Sequence, residues 1–178
     1  MNESFADIEI LSELETSEET LEFYKSLNEN VIRGNLSVPV YGGSTCNTEF
    51  EAITGFTTAF LPAGSYPYLS YVRDDTENLG EQLQEEDYYT SFIHLYDASG
   101  YNRRNVYSMF NFDEQIYIDD VADVELIRGF ASDQGNYEIL INEYEKIQET
   151  GKKSFIFNVT MSIPDDSEPS FRKHSTVI

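Results

Sequence analysis

Apolar residues recur along this chain at helical and then at strand spacing, in alternation. A capping box at Thr16-Ser17-Glu18-Glu19 precedes Leu21, Tyr24 and Leu27, which predicts a short helix ending near Asn28. Val31 to Val40 reads as a strand leading into the Gly42-Gly43 turn. Phe50 and Ile53 then recur at helical spacing, and Gly55 marks the stop. A Gly/Pro-punctuated stretch from Leu61 to Pro67 predicts an exposed loop. Glu77 to Glu86 predicts an acidic helix with Leu79 and Leu83 on one face, and Tyr89 to Leu95 a strand that ends on His94. A helix over Arg103 to Phe110 and a strand over Gln115 to Ile118 follow. The clearest helix starts at Ser132 or Asp133, carries Tyr137, Leu140, Ile141, Tyr144 and Ile147, and ends at Gly151. Ser154 to Met161 is β-branched and aromatic enough for a central strand.

This alternation predicts an α/β fold with a mainly parallel sheet flanked by helices, over residues 1–161. From Ser162 the pattern collapses into the polar, proline-bearing run Ile163-Pro164-Asp165-Asp166-Ser167-Glu168-Pro169, so residues 162–178 are expected to be a disordered tail. In a parallel sheet, ligands gather at the carboxyl ends of the strands, where Glu3, Thr45 and His94 are expected to lie.

Composition narrows the function. The 178 residues suffice for one domain with a core, and 40% hydrophobic with 14% aromatic residues argue for folding rather than disorder. A formal net charge of −22 with only 11 Lys and Arg argues against nucleic acid and against an anionic membrane surface as partners. The single cysteine, Cys46, excludes an internal disulfide and leaves the redox compartment open. It stands beside Thr45, but no His or Arg near it in sequence lowers its pKa, so a small buried thiol is the simpler reading. No run of about 18 apolar residues is present, and Met1 is followed by Asn-Glu rather than by a basic and then apolar signal.

The chemistry concentrates in three short blocks. In Tyr41-Gly42-Gly43-Ser44-Thr45-Cys46-Asn47-Thr48-Glu49-Phe50 a hydroxyl stands at the mouth of a helix behind two glycines, a place that welcomes an anion and suits a nucleophile attacking phosphorus. The second block is Asn2-Glu3-Ser4-Phe5. The third is His94-Leu95-Tyr96-Asp97-Ala98-Ser99-Gly100-Tyr101-Asn102-Arg103. Taken singly each residue has a plainer reading. Thr45 is then an N-cap, Glu3 one of 33 acidic residues that solvate the surface, His94 a satisfied core histidine, and Tyr101 core packing. Arg103 or Arg104 then pairs with nearby carboxylates, and Asn2 and Asn47 make local backbone hydrogen bonds.

Together the blocks resemble the lipoteichoic acid synthase and phosphoglycerol transferase branch of the sulfatase-like, alkaline-phosphatase superfamily. In that family a Glu in an E-S-F segment binds a divalent metal. A Thr in a G-x-T-x-[ND]-x-E-F segment is both metal ligand and covalent nucleophile, and a His precedes an aromatic-Asn-Arg triplet by the interval that separates His94 from Arg103 here. The resemblance implies Glu3 and Thr45 as metal ligands, Thr45 as the catalytic nucleophile, and His94, Tyr101 and Arg103 as substrate-binding residues, with Asn2 and Asn47 orienting the ligands. It implies Mn2+ or Mg2+, consistent with hard oxygen donors. The expected activity is transfer of glycerol phosphate from a phosphatidylglycerol-like lipid head group to a glycerol-phosphate polymer or glycan acceptor, through a phosphoglycerol-threonine intermediate. A phosphatase- or sulfatase-type hydrolase and an inactive remnant are the alternatives.

The resemblance covers residues 1 to about 161 and stops short of the whole family pattern. The family's Asp-His metal pair has no counterpart, Ser162-Ile163-Pro164 replaces an Asn-His context, and His174 matches neither position. Relatives carry N-terminal membrane helices, an extracellular catalytic domain and an apolar strand before the E-S-F segment. The expectation is therefore a truncated catalytic domain, soluble by itself, with a weakened metal site.

Overall fold

The computed structural model describes Met1 and residues 21–32, 34, 36–40 and 43–161. The chain divides into two compact units, Met1 with Pro39–Ser162, and Asn2–Val38 with Ile163–Ile178. In the second unit helix α1 spans Glu22–Ser26 and closes at Leu27, close to the expected end. The capping box assigned to its start, at 16–19, lies outside the described residues, as does the tail expected from Ser162.

The expected strand from Val31 to Val40 does not form among the described residues, where Leu36 makes only an isolated bridge. Val31, Ile32 and Leu36 are all exposed, so that stretch has no apolar face to bury, and Pro39 brings no amide donor to a ladder.

Among the described residues of the larger unit three parallel strands lie in the order β2-β1-β5, with β1 at Tyr88–His94, β2 at Glu114–Tyr117 and β5 at Lys153–Asn158. The mainly parallel α/β arrangement is as the sequence pattern predicts. Position within the sheet is not: among the described residues β1 is the central strand and β5 is flanked on one side only, where Phe155, Ile156 and Phe157 are half-buried. At the end of β5, Met1 donates its nitrogen to the Asn158 carbonyl and accepts the Thr160 N–H at 3.1 Å.

The two faces of β1 feed two cores, as a period of two requires. Phe92 joins Cys46, Phe50, Ile53, Tyr68, Val106, Tyr107, Phe110 and Tyr117 on one side. Ile93 and Leu95 join Ala131, with Ile139, Leu140 and Ile156 packed around them, on the other. The first core is aromatic, with the Phe92 and Tyr107 rings stacked at 3.5 Å and 12°.

Helix α2 spans Thr45–Thr54, α3 Pro67–Ser70, α4 Leu79–Glu85, α5 Arg103–Met109 and α6 Asp133–Glu149. Helix α6 begins on the expected cap, where the Ser132 hydroxyl accepts the Gly135 N–H at 3.0 Å. Its inward face differs from the expected stripe. Tyr137, Ile141 and Tyr144 are exposed, whereas Asn136, Glu143 and Ile147 are buried. The sheet supplies polar partners that make this possible, since Ser91 donates to Glu143 at 2.7 Å and Asn158 to Asn136 at 2.6 Å. In α4 it is Gly80 rather than Leu79 that faces inward, because the Phe112 ring leaves no room for a side chain there.

A two-stranded hairpin escaped the pattern: β3 at Leu126–Ile127 pairs antiparallel with β4 at Phe130–Ala131. Its turn residues Arg128 and Gly129 both have positive φ, 56° and 86°, the mirror-image turn that suits strand twist.

Candidate active site

Helix α2 is built from residues of modest helix propensity, Thr45, Cys46, Asn47 and Thr48 among them, so burial rather than propensity holds it. Cys46, Phe50 and Ile53 form its apolar stripe at i, i+4 and i+7, all within the aromatic core. Gly55 ends the helix with φ of 71° and returns its N–H to the Glu51 carbonyl at 2.9 Å.

The helix start is unusual. Ser44 occupies the N-cap position in the left-handed region, φ 61°, and makes no side-chain cap; its hydroxyl reaches Tyr66 at 3.4 Å instead. Thr45 is thus the first helical residue and half-buried, and the plain N-cap role falls to its neighbour. Asn47 donates its side-chain amide to the Ser65 carbonyl at 3.1 Å, so it ties α2 to the loop over Leu61 to Pro67. The partner is a backbone carbonyl eighteen residues away, so the contact is tertiary rather than local.

The Gly100–Asn102 turn comes against this helix mouth. The Ser44 backbone N–H donates to the Tyr101 hydroxyl, and the Tyr66 and Tyr101 rings pack at 5.5 Å. Burial, with Cys46 nearby, raises the Tyr101 hydroxyl above its ordinary pKa against that hydrogen bond, so it stays protonated at neutral pH. Tyr101 and Asn102 are both left-handed, at φ 54° and 62°. Two adjacent non-glycine residues there cost on the order of 1 kcal/mol or more apiece, and such strain persists only where its surroundings enforce it.

Asn102 is held by donating to the Tyr68 carbonyl at 3.4 Å and accepting from Asn105 at 2.6 Å, and the Gly100–Tyr101 side of the turn is held by Arg103. Its side chain is buried, its Nε lies 3.2 and 3.1 Å from the two Glu49 carboxylate oxygens, and its Nη2 donates to Oε1 at 2.5 Å. Nη1 donates to the Gly100 carbonyl at 3.3 Å, and the guanidinium lies 5.1 Å from the Tyr101 ring centroid. Burial acts against its charge, but the Glu49 carboxylate outweighs this and holds the guanidinium above its ordinary pKa. Tyr107 adds a hydrogen bond to Glu49 at 3.3 Å and meets the Tyr68 hydroxyl at 3.1 Å. Arg103 therefore pairs with a carboxylate, as its simpler reading foresaw, while the neighbouring Arg104 pairs with Asp120 at the surface.

His94 lies at the carboxyl end of β1 and is 1% exposed. Its Nδ1 sits 2.9 Å from the Val159 carbonyl, which can only accept, so the proton belongs on Nδ1 and Nε2 carries a lone pair. Nε2 has no partner among the described residues. Burial, reinforced by the charge of Arg103, lowers its pKa to about 4, so His94 is neutral at physiological pH.

Thr45, Tyr101 and Arg103 thus belong to one connected structure, and His94 lies within electrostatic reach of Arg103 and Glu49. Glu3 and Asn2 lie outside the described residues. Among the described residues no three His, Cys, Asp or Glu side chains gather as a metal site. Sequence reasoning gives Glu49 no role, although it is buried and holds Arg103. The signal for it was a carboxylate on the buried face of α2, beside Phe50 and four residues from Thr45.

A family model described as Sulfatase matches residues 3–165. The chain belongs to the sulfatase family. It is 32% identical over 161 residues to a Rhizobium meliloti (strain 1021) protein whose name assigns it to cyclic beta-1,2-glucan modification, covering 90% of this chain and 24% of that protein. Among solved structures, the Streptococcus pyogenes phosphoglycerol transferase GacH in complex with sn-glycerol-1-phosphate superposes with a TM-score of 0.75 at 21% identity, over 90% of this chain and 42% of that one. The Listeria monocytogenes lipoteichoic acid synthase LtaP gives 0.62 at 20% identity, over 76% and 34%. A Vibrio parahaemolyticus protein of the alkaline phosphatase superfamily gives 0.54 at 20% identity, over 74% and 34%. The fold of this sulfatase-family chain is thus that of the alkaline-phosphatase and sulfatase-like enzymes, and the chain spans about a quarter of the length of the curated relative it matches. No helix among the described residues is long and apolar enough to cross a membrane.

Proposed function

We propose that this chain is the nucleophile-bearing part of a phosphoglycerol transferase, with Thr45 as the covalent residue. The observation that carries the reading is the position of Thr45 as first residue of α2, with the Tyr101 hydroxyl held against the preceding Ser44 amide. The likeness to GacH and LtaP supports the choice of reaction class.

In the proposed reaction the Thr45 oxygen attacks the phosphorus of a phosphatidylglycerol-like phosphodiester. A new O–P bond forms, the bond from phosphorus to the diacylglycerol oxygen breaks, and that leaving oxygen takes up a proton. A hydroxyl of the glycerol-phosphate polymer or glycan acceptor then attacks the same phosphorus and releases Thr45. Glu3 and Thr45 offer a carboxylate and a hydroxyl, hard oxygen donors that fit Mn2+ or Mg2+. When bound, such a cation lowers the cost of ionising the Thr45 hydroxyl and neutralises phosphoryl charge. The neutral His94, with its lone pair on buried Nε2, suits accepting a hydrogen bond from a glycerol hydroxyl. Tyr101 supplies an aromatic wall. Arg103 uses three of its five N–H groups on Glu49 and Gly100, leaving two for phosphoryl oxygens. Asn47 braces the loop beside the nucleophile, and Asn2 is assigned a weaker part in orienting Glu3.

The test is intact-mass measurement after incubating the chain with Mn2+ and phosphatidylglycerol micelles. A glycerol-phosphate adduct that maps to Thr45 and disappears in Thr45→Ala is expected; no adduct on the wild-type chain overturns covalent transfer by this chain. The match to the Sulfatase model favours one second reading, a hydrolase that uses the same Thr45 with water as acceptor. Release of product from an aryl phosphate or sulfate, without lipid, selects it.

A further inference from the structure

We infer that Glu49 is a positioning residue that acts through Arg103 to hold the Gly100–Asn102 turn against the mouth of α2, and so fixes Tyr101 relative to Thr45. The inference rests on the reading of Thr45 and Tyr101 as site residues.

Thr45 and Glu49 stand one helical turn apart on α2, so their side chains rise from the same face. From that face the fully buried Glu49 carboxylate takes the Nε and Nη2 of Arg103. A carboxylate in this fork leaves the guanidinium no rotation of its own. Its remaining terminus, Nη1, is thereby aimed at the Gly100 carbonyl, and its flat face lies toward the Tyr101 ring. The turn bound in this way carries the two left-handed residues, Tyr101 and Asn102, which need outside contacts to stay strained. Tyr101 in turn packs on the Tyr66 ring at 5.5 Å, whose hydroxyl takes the Ser44 hydroxyl at 3.4 Å, and its own hydroxyl faces the Ser44 amide, one residue before the nucleophile. Tyr107 and Tyr68 continue the chain behind Glu49 and keep its second oxygen in place.

The route therefore runs Thr45 helix, Glu49, Arg103, Gly100, Tyr101, and back to Ser44, a closed loop of contacts around the proposed nucleophile. Nothing in it requires Glu49 to touch substrate. A carboxylate buried only for stability would brace α2 against α5, and its loss would soften both helices alike; a positioning carboxylate must control the far side of the loop, at Ser44 and Tyr101.

The experiment is amide hydrogen exchange read residue by residue on the 178-residue chain, in wild type, Glu49→Gln and Arg103→Lys, with calorimetric titration of sn-glycerol-1-phosphate in Mn2+ on the same samples. Arg103→Lys preserves a charge pair but cannot span Glu49 and Gly100 together, and it keeps the test open should Glu49→Gln fail to fold. The expected result is a loss of Ser44 amide protection by tenfold or more in each folded variant, with β1 protection unchanged, and a tenfold or greater weakening of glycerol phosphate binding. Wild-type protection at Ser44 in both folded variants overturns the positioning role, whatever the binding data. If protection falls as expected but the wild-type chain binds no glycerol phosphate, the positioning role stands and the substrate reading fails.

Discussion

Replacing Arg103 by Met separates the energetic weight of the buried ion pair from that of its shape. Methionine fills much of the same volume but leaves the Glu49 carboxylate, 0% exposed, with the Tyr107 hydroxyl at 3.3 Å as its one remaining hydrogen-bond partner among the described residues. Breaking a buried pair from one side typically costs about 3–5 kcal/mol, because an uncompensated charge remains out of water. For a chain of this size that corresponds to a fall in Tm of about 6–20 °C. Replacing Glu49 by Gln as well removes the orphan charge, so Glu49→Gln/Arg103→Met is expected to recover most of the loss, to within about 1–2 kcal/mol of wild type. Urea denaturation followed by far-UV circular dichroism, with a check that the m-value is constant, gives each ΔΔG. A single-variant cost under about 1 kcal/mol, or a double variant as unstable as the single, refutes the view that Glu49 and Arg103 are a desolvated, mutually dependent pair.

His94 should shape the acid limb of stability. Its folded pKa of about 4 lies below the ordinary 6.5, so between those values the unfolded chain binds the extra proton and stability falls as pH falls. The loss approaches roughly 3 kcal/mol by pH 4 and should be absent from the difference curve of His94→Gln, measured by denaturant titration from pH 4 to 7.5; parallel curves for the two proteins would contradict the buried neutral histidine. Gly80→Ala places a methyl 2.6 Å from the Phe112 ring and 3.0 Å from the capping Asn78 oxygen, so thermal melts should show a net loss of about 1–2 kcal/mol despite the better helix propensity of alanine. On α6, Ile147→Ala should cost about 2–4 kcal/mol and Ile141→Ser less than about 0.5, and equal costs would mean that the inward face has been misassigned.

The aromatic-Asn-Arg triplet was legible as a unit, but its internal division of labour was not. Sequence placed Tyr101 and Arg103 together, and in the fold they are together. It could not show that Arg103 spends its side fork on Glu49, because that pairing joins α5 to α2 across fifty-four positions of chain. Thr45 was readable as a hydroxyl at a helix start. That it is the first helical residue, behind a left-handed Ser44, depends on Tyr66 and Tyr101 arriving from elsewhere.

Hydrophobic patterning by itself determined the order and type of the main elements, since a strand buried on both faces reads as a short continuous apolar run and a helix that buries one face repeats at 3.6 residues wherever they fold. It narrowed the start of α6 to Ser132 or Asp133, and determined that Gly55 ends α2 and that β1 delivers His94, because caps and strand ends are local matters. Tertiary structure decided which strand is central, which face of α6 turns inward, and which carboxylate answers Arg103. Those outcomes are set by partners far away in sequence: Ser91 and Asn158 accommodate polar residues on α6 that an apolar stripe would have excluded, and a buried charge takes whichever opposite charge the packing brings within reach.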